Sequence, residues 1–445
     1  MSRKTIWGWA LYDWANSAFA TTVMAGFFPV FFKGYWSYGS DVNLSTAQLG
    51  IGNSIASLTV ALMAPILGAI ADHGGRKKAF LLTFAYLGVL MTAGLYLVDR
   101  GQWLLAIFVY SGGVIGFSGA NVFYDALLPA VAPADRLDSI SSFGFAMGYL
   151  GGGLLFLLNV IMTLKPGLFG LPDAAAAVRL SFLSVALWWG GFTLFTLFWV
   201  KETPAIGRPA GAALVRQGIA RLAGTLTHLR HLKSVGLFLI AYWCYIDGVD
   251  TIIRMAVDYG MSLGFAASDL ILALLIVQFV GFPAALGFGW LSQRWGVRQA
   301  IYLAIVTYMG ITVWGTMMTH KNEFYILAVI IGLVQGGIQA LSRSYYARLI
   351  PKDKAAEFFG FYNMLGKFAA IFGPALMGIV GIVVRRVIMP TAPTAADLVA
   401  VGHLATRWSM GSLLVLFVTG LVLFSRVDEK KARAEIAALK TSTDR

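Results

Sequence analysis

Ionisable and amide side chains recur at helical spacing inside otherwise apolar stretches of this 445-residue chain. Asp13 is followed one turn later by Asn16 and Ser17, and Asp247, Asp250, Thr251 and Arg254 stand three and four residues apart. Gln335, Gln339 and Arg343 repeat every four residues, as do Asn363 and Lys367. Such spacings put side chains on one face of a helix. An ionisable group inside an apolar span costs roughly 2.5–3.5 kcal/mol on insertion scales, so each is a functional suspect. The acids Asp13, Asp247 and Asp250 formally balance Arg254, Arg343 and Lys367. A cavity with both signs suits a zwitterion, with Arg343 or Lys367 meeting a carboxylate and an aspartate meeting an ammonium. A carboxylate there that gains and loses a proton would couple solute movement to protons, and Asp247 and Asp250 are the candidates. The competing reading is mutual pairing, for instance Asp250 with Arg254, that only braces the bundle. Asp13 lies near the start of its apolar run and fits a gate as well as a binding role.

A second group is the turn Gly68-Ala-Ile-Ala-Asp72-His-Gly-Gly75-Arg76-Lys77-Lys78. Its glycines allow a sharp reversal and close helix contact. Asp72 is expected at the positive N-terminus of a helix that begins near Glu357. Arg76 and Lys77 are expected to reach a carboxylate such as Asp125. Contacts of this kind would hold one side shut in one state and break in another; the alternative is a solvated basic turn. Other patterns carry no chemistry. Gly360 to Lys367 resembles a phosphate loop, but it is one residue too long and has Phe368 where a magnesium ligand belongs. His228 and His231 have no Cys or carboxylate cluster beside them, so no metal is expected. The sequon at Asn43 is short enough to arise by chance. The single cysteine, Cys244, excludes an internal disulfide. No nucleophile–base pair is apparent, and neither an enzyme nor a cofactor is expected.

The elements that must position these residues are membrane helices. The chain is 58% hydrophobic and 12% charged, against about 25% charged for a soluble domain. A spanning helix needs about 20 apolar residues, and twelve such runs fit, from 7–32 to 405–426. The first is too long for a signal peptide and lacks its cleavage site. Of 34 Lys and Arg, 23 fall in the terminal and even-numbered loops and eight in the others. That bias places both termini in the cytoplasm. Trp36 and Trp103 are read as belt residues of the outer boundary, Trp199 and Trp295 of the inner one. The net charge of +13 therefore reports topology and contact with anionic lipid, not nucleic acid.

The pattern at Gly68 returns 221 residues later as Gly289-Trp-Leu-Ser-Gln293-Arg-Trp-Gly296-Val-Arg298. Tyr124-Asp-Ala-Leu-Leu-Pro129 returns after 222 residues as Tyr346-Ala-Arg-Leu-Ile-Pro351, and Asp13 to Ser17 has a counterpart in Asp247 to Thr251. The chain is thus read as an N-terminal half (1–200), a basic connector (201–233), a C-terminal half (234–426) and a tail (427–445). Parallel six-helix repeats imply binding near the midplane between halves.

The turn at Gly68 resembles the major facilitator signature between helices two and three, with His73 where Arg or Lys is usual. The chain also resembles a narrower branch, the autophagy-related vacuolar amino-acid effluxers and their bacterial relatives. The strings Tyr12-Asp-Trp-Ala-Asn-Ser-Ala18, Asp247-Gly248, Ser342-Arg-Ser344 and Glu357 to Lys367 carry that likeness. Asp250 departs from it, standing where an amide is more usual. The resemblance implies an all-α fold of twelve transmembrane helices in two pseudo-symmetric halves. It implies export of small polar solutes, foremost amino acids; alternating access by a monomer in a bacterial inner membrane is the expectation. An exporter of amphipathic drugs, and a receptor or lipid-translocating protein of the same fold, are the alternatives.

Overall fold

The computed structural model describes residues 2–39, 42–202, 232–262, 266–390, 394–432 and 434–436. His228, His231 and most of the connector lie outside the described residues. Twelve helices among the described residues are long and apolar enough to cross a membrane. We label them α1 (Arg3–Trp36), α2 (Val42–Gly74), α3 (Lys77–Gly94), α4 (Trp103–Val131), α5 (Leu137–Leu164), α6 (Ala174–Trp199), α7 (Lys233–Ser262), α8 (Ala267–Trp295), α9 (Val297–Met317), α10 (Lys321–Arg348), α11 (Ala355–Ile388) and α12 (Ala395–Ser425). Helix is the form a single segment can take in hydrocarbon, because it satisfies its own backbone groups. Ser2 and Asp173 cap the starts of α1 and α6, and Thr394 and Asp397 form a reciprocal cap on α12. Within α1, Phe19–Phe27 and Phe32–Trp36 are wound as π-helix.

The chain clusters into two units. The first holds Met1–Leu229 together with Arg343–Met364, and the second Arg230–Ser342 with Leu365–Arg445. In the first unit α1 packs on α5 and α6, and α4 packs on α2 and α3. In the second, α12 packs on α7 and α9, as α6 packs on α1 and α3 in the first. The turns before α3 and α9 match as well. Gly75 (φ +61°) and Gly296 (φ +94°) both adopt the left-handed region that a side chain would strain. Just after each turn a cation reaches carbonyls at the end of a neighbouring helix. Lys78 Nζ donates to Leu197 O (3.2 Å) and Val200 O (2.9 Å). Arg298 Nη2 donates to Phe424 O (3.4 Å) and Ser425 O (3.2 Å). Cations are favoured there by the negative end of the helix dipole.

Trp36 corrects the boundary reading. It is fully buried, stacks on Phe182 and donates its indole N–H to Val98 O at 3.1 Å. A tryptophan at a span end can anchor on a protein carbonyl as well as on lipid headgroups. Trp295, by contrast, is exposed.

Candidate functional site

The polar residues fall into two groups, one in each unit. In the first unit the centre is Arg343, the last-but-five residue of α10, only 3% exposed. Its Nη1 donates to Asp125 Oδ1 of α4 at 3.1 Å and lies 4.0 Å from Asp13 Oδ2 of α1. Its Nε and Nη2 donate to the Oγ and carbonyl of Ser141 on α5, both at 2.9 Å. The guanidinium also lies over the rings of Phe145 (4.4 Å) and Trp9 (4.9 Å). Trp9 is fixed by its N–H to Tyr124 O (2.9 Å), and the Tyr124 hydroxyl donates to Asp13 Oδ2 (3.1 Å). Asn363 Nδ2 of α11 donates to the second oxygen of Asp125 at 3.1 Å. Arginine suits this place because its planar, rigid fork of donors meets several acceptors at once.

Around this centre lie further clasps. Ser344 Oγ donates to Asp138 Oδ1 at 2.6 Å, and Arg348 pairs with the other oxygen of Asp138. Asp138 opens α5, where a helix N-terminus favours a negative charge. Asp72 Oδ2 accepts the backbone N–H of Glu357 in the first turn of α11 at 2.8 Å. Lys77 Nζ lies 2.8 Å from Asp72 Oδ1. Helices α2 and α11 touch backbone to backbone here. A Cβ on Gly360 would lie 2.7 Å from Ala64 O, and one on Gly68 would overlap Ala356.

The expected partner of Asp125 is therefore corrected: Arg343 pairs with it, Lys77 pairs with Asp72, and Arg76 is exposed with no carboxylate partner among the described residues. The reason is register. Asp125 sits two turns inside the end of α4, beside Arg343 and Asn363, whereas Arg76 sits in the turn and Lys77 opens α3. Asp13 and Asn363 join Arg343, and Asn16 Nδ2 donates to Asn121 Oδ1 (2.6 Å). Sequence reasoning missed Ser141, Tyr124, Trp9 and Asp138. Arg348 and Asp138 stand at helix ends, where charge counting assigns residues to solvated loops. The available signal was the pair of serines flanking Arg343, small hydroxyls beside a charge in an apolar run.

In the second unit Asp247 of α7 is 1% exposed. Its Oδ1 accepts from Gly373 N of α11 (2.9 Å) and from Thr251 Oγ1 one turn on (3.3 Å). Its Oδ2 is buried and has no hydrogen-bond partner among the described residues. Gly373 is required for the approach, since a Cβ there would overlap Thr251 Oγ1. Asp250 interacts electrostatically with Arg254 and Lys367, but among the described residues no direct ion pair joins them. Gln335 and Gln339 are half-buried on α10 and make no side-chain hydrogen bond among the described residues. Arg343 thus belongs to the first group, and Asp247, Asp250, Arg254 and Lys367 to the second.

Comparison with known proteins fits this architecture. The profile of the family described as "Vacuole effluxer Atg22 like" matches residues 37–382. An uncharacterised MFS-type transporter of Bacillus subtilis, YxiO, is 39% identical over 95% of this chain and 94% of its own length. Autophagy-related protein 22 of Coccidioides immitis is 24% identical, covering 85% of this chain and 82% of its own. Among solved structures, the human organic anion transporter MFSD10 superposes with a TM-score of 0.66 at 16% identity, covering 95% of this chain and 99% of its own. The proton:xylose symporter XylE gives 0.63 at 14% identity, with 98% and 97% covered. The family match and the 39% identical MFS-type relative, together with twelve spans among the described residues, define a multi-pass membrane transporter of the major facilitator class, not an enzyme. Within that class, the chain belongs to the Atg22-like effluxer family.

Proposed function

We propose that the protein works by alternating access on a small polar or zwitterionic solute, amino acids first, and exports it across a bacterial inner membrane. Asp247 carries this reading. It is a buried carboxylate with one oxygen held by Gly373 and Thr251 and the other open. An isolated buried acceptor is costly, and an ammonium or a proton would complete it. Lys367 and Arg254, beside Asp250, supply the opposite sign for a carboxylate. The Asp13–Asp125–Arg343 group serves as the gate. With both termini in the cytoplasm, as the loop charges imply, that gate is the cytoplasmic one, and Gly68, Asp72, Gly75, Arg76 and Lys77 belong to it. The similarity to effluxers supports the direction.

The test is flux in proteoliposomes holding purified protein, with radiolabelled amino acids and an imposed pH gradient. Transport by the parent and its loss in Asp247→Asn is the expected result. The amide oxygen can still accept from Gly373 and Thr251, so this variant stays folded. Absence of flux for every amino acid overturns the substrate. Unchanged gradient-driven flux in Asp247→Asn removes Asp247 as the proton carrier. Flux of organic anions alone favours the second reading, an anion exporter built on Arg254 and Lys367.

A further inference from the structure

A cavity of about 440 Å³ opens between α1 and α5, its lining including Arg3, Ile6, Trp7, Arg136, Ser139 and Phe143. Its size lies in the range of small-ligand sites. It is graded from polar to apolar. Arg3 is the first residue of α1 and Arg136 immediately precedes α5, so both cations stand at the ends of spans. Trp7 and Phe143 lie one to two turns further in, edge to face with ring centroids 5.0 Å apart, and Trp7 is 46% exposed.

The cations are not neutralised from within. Among the described residues neither Arg3 nor Arg136 has a carboxylate partner. Asp138, the acid of the first turn of α5, is engaged by Ser344 and Arg348. No side chain caps the N-terminus of α5, so the positive end of that helix adds to the field. Two unpaired arginines call for an anion that takes several donors at once, and a phosphate does so. Below the cavity the face of α5 that carries Phe143 continues through Met147, Leu150, Leu154, Leu158 and Ile161. The last three are 41–47% exposed. That stripe favours a ligand with an acyl chain over a free ion.

We propose that this cavity binds one anionic phospholipid, its phosphate between Arg3 and Arg136, its glycerol region against Trp7, and an acyl chain along α5. Basic pockets between membrane helices take such headgroups, and aromatic residues sit at the headgroup level. The site is separate from the Arg343 and Asp247 groups and does not depend on what is transported.

The test is native mass spectrometry of the full-length protein in detergent, titrated separately with phosphatidylglycerol, phosphatidylcholine and inorganic phosphate. Phosphatidylcholine carries the same phosphate neutralised by choline. One phosphatidylglycerol should bind at least about tenfold more tightly than phosphatidylcholine. Arg3→Gln and Arg136→Gln should each weaken it about fivefold, and the pair about 25-fold. Arg136→Lys should retain most of the binding, and Arg426→Gln, at the end of α12, should leave it unchanged. Equal binding of the two lipids, or an unaltered affinity in the double variant with the parent's thermal midpoint, overturns the proposal. Displacement of phosphatidylglycerol by an equal concentration of inorganic phosphate assigns the site to a free anion and overturns it as a lipid site.

Discussion

Replacing Arg343 with glutamine tests the clasp at the end of α10. The side chain is 3% exposed and faces two carboxylates, at 3.1 Å and 4.0 Å. Glutamine removes the charge and all but one or two of the donors, leaving Asp13 and Asp125 buried without a counter-ion. Breaking a buried pair by removing one partner costs about 3–5 kcal/mol. If that loss falls on the form in which Arg343–Met364 pack against α1, α4 and α5, the equilibrium shifts toward the opened form by about a hundredfold to several thousandfold. Ser142 reports it. It is 1% exposed, one residue from the partner of Arg343, and its hydroxyl has no partner among the described residues. In a Cys244→Ser, Ser142→Cys background a maleimide should label position 142 only as the clasp opens. Arg343→Gln should raise the labelling rate by about a hundredfold or more. Adding Asp125→Asn removes one of the two stranded charges, so the double change should label more slowly than Arg343→Gln alone. A rate within about twofold of the parent, in protein that remains monodisperse and helical, refutes the clasp.

Three further outcomes follow from the geometry. Gly68→Ala puts a Cβ 2.9 Å from Glu357 N, a backbone atom that no rotamer change can move, so α2 and α11 must separate and maleimide labelling at position 142 should rise in the same Ser142→Cys background. Gly378→Ala, on open ground in α11, should leave labelling at the parent rate. Glu202 accepts from the backbone N–H groups of Lys77 (2.7 Å) and Lys78 (3.0 Å) through its two oxygens. Glu202→Ala should cost about 1 kcal/mol of local stability, read as roughly fivefold faster hydrogen exchange at the start of α3. Gly373→Ala should disturb Asp247 by overlap with Thr251 and abolish flux, whereas Thr251→Ala, which removes one 3.3 Å hydrogen bond, should reduce it by less than about tenfold.

The sequence by itself determined the medium and the element type. A chain this apolar, with most of its charges lying between the apolar runs, has no soluble solution. It also determined that the turn at Gly68 has a twin at Gly289, because the need for a left-handed glycine before α3 and before α9 is local and leaves a residue-level mark. It drew attention to ionisable residues inside apolar runs, because each is expensive in hydrocarbon wherever it points. Partnership was decided only by tertiary structure. Helical spacing fixes the face on which Arg343 lies, but not which neighbouring helix meets that face or at what depth. Arg343 could therefore be read with Lys367 as a cation for substrate, yet packing delivers it to Asp125, Asp13 and Ser141. Asp247 shows the same division. Its cost was legible in the sequence. That one oxygen is filled by Gly373 and Thr251 while the other is left open depends on the approach of α11, set by a glycine 126 residues away.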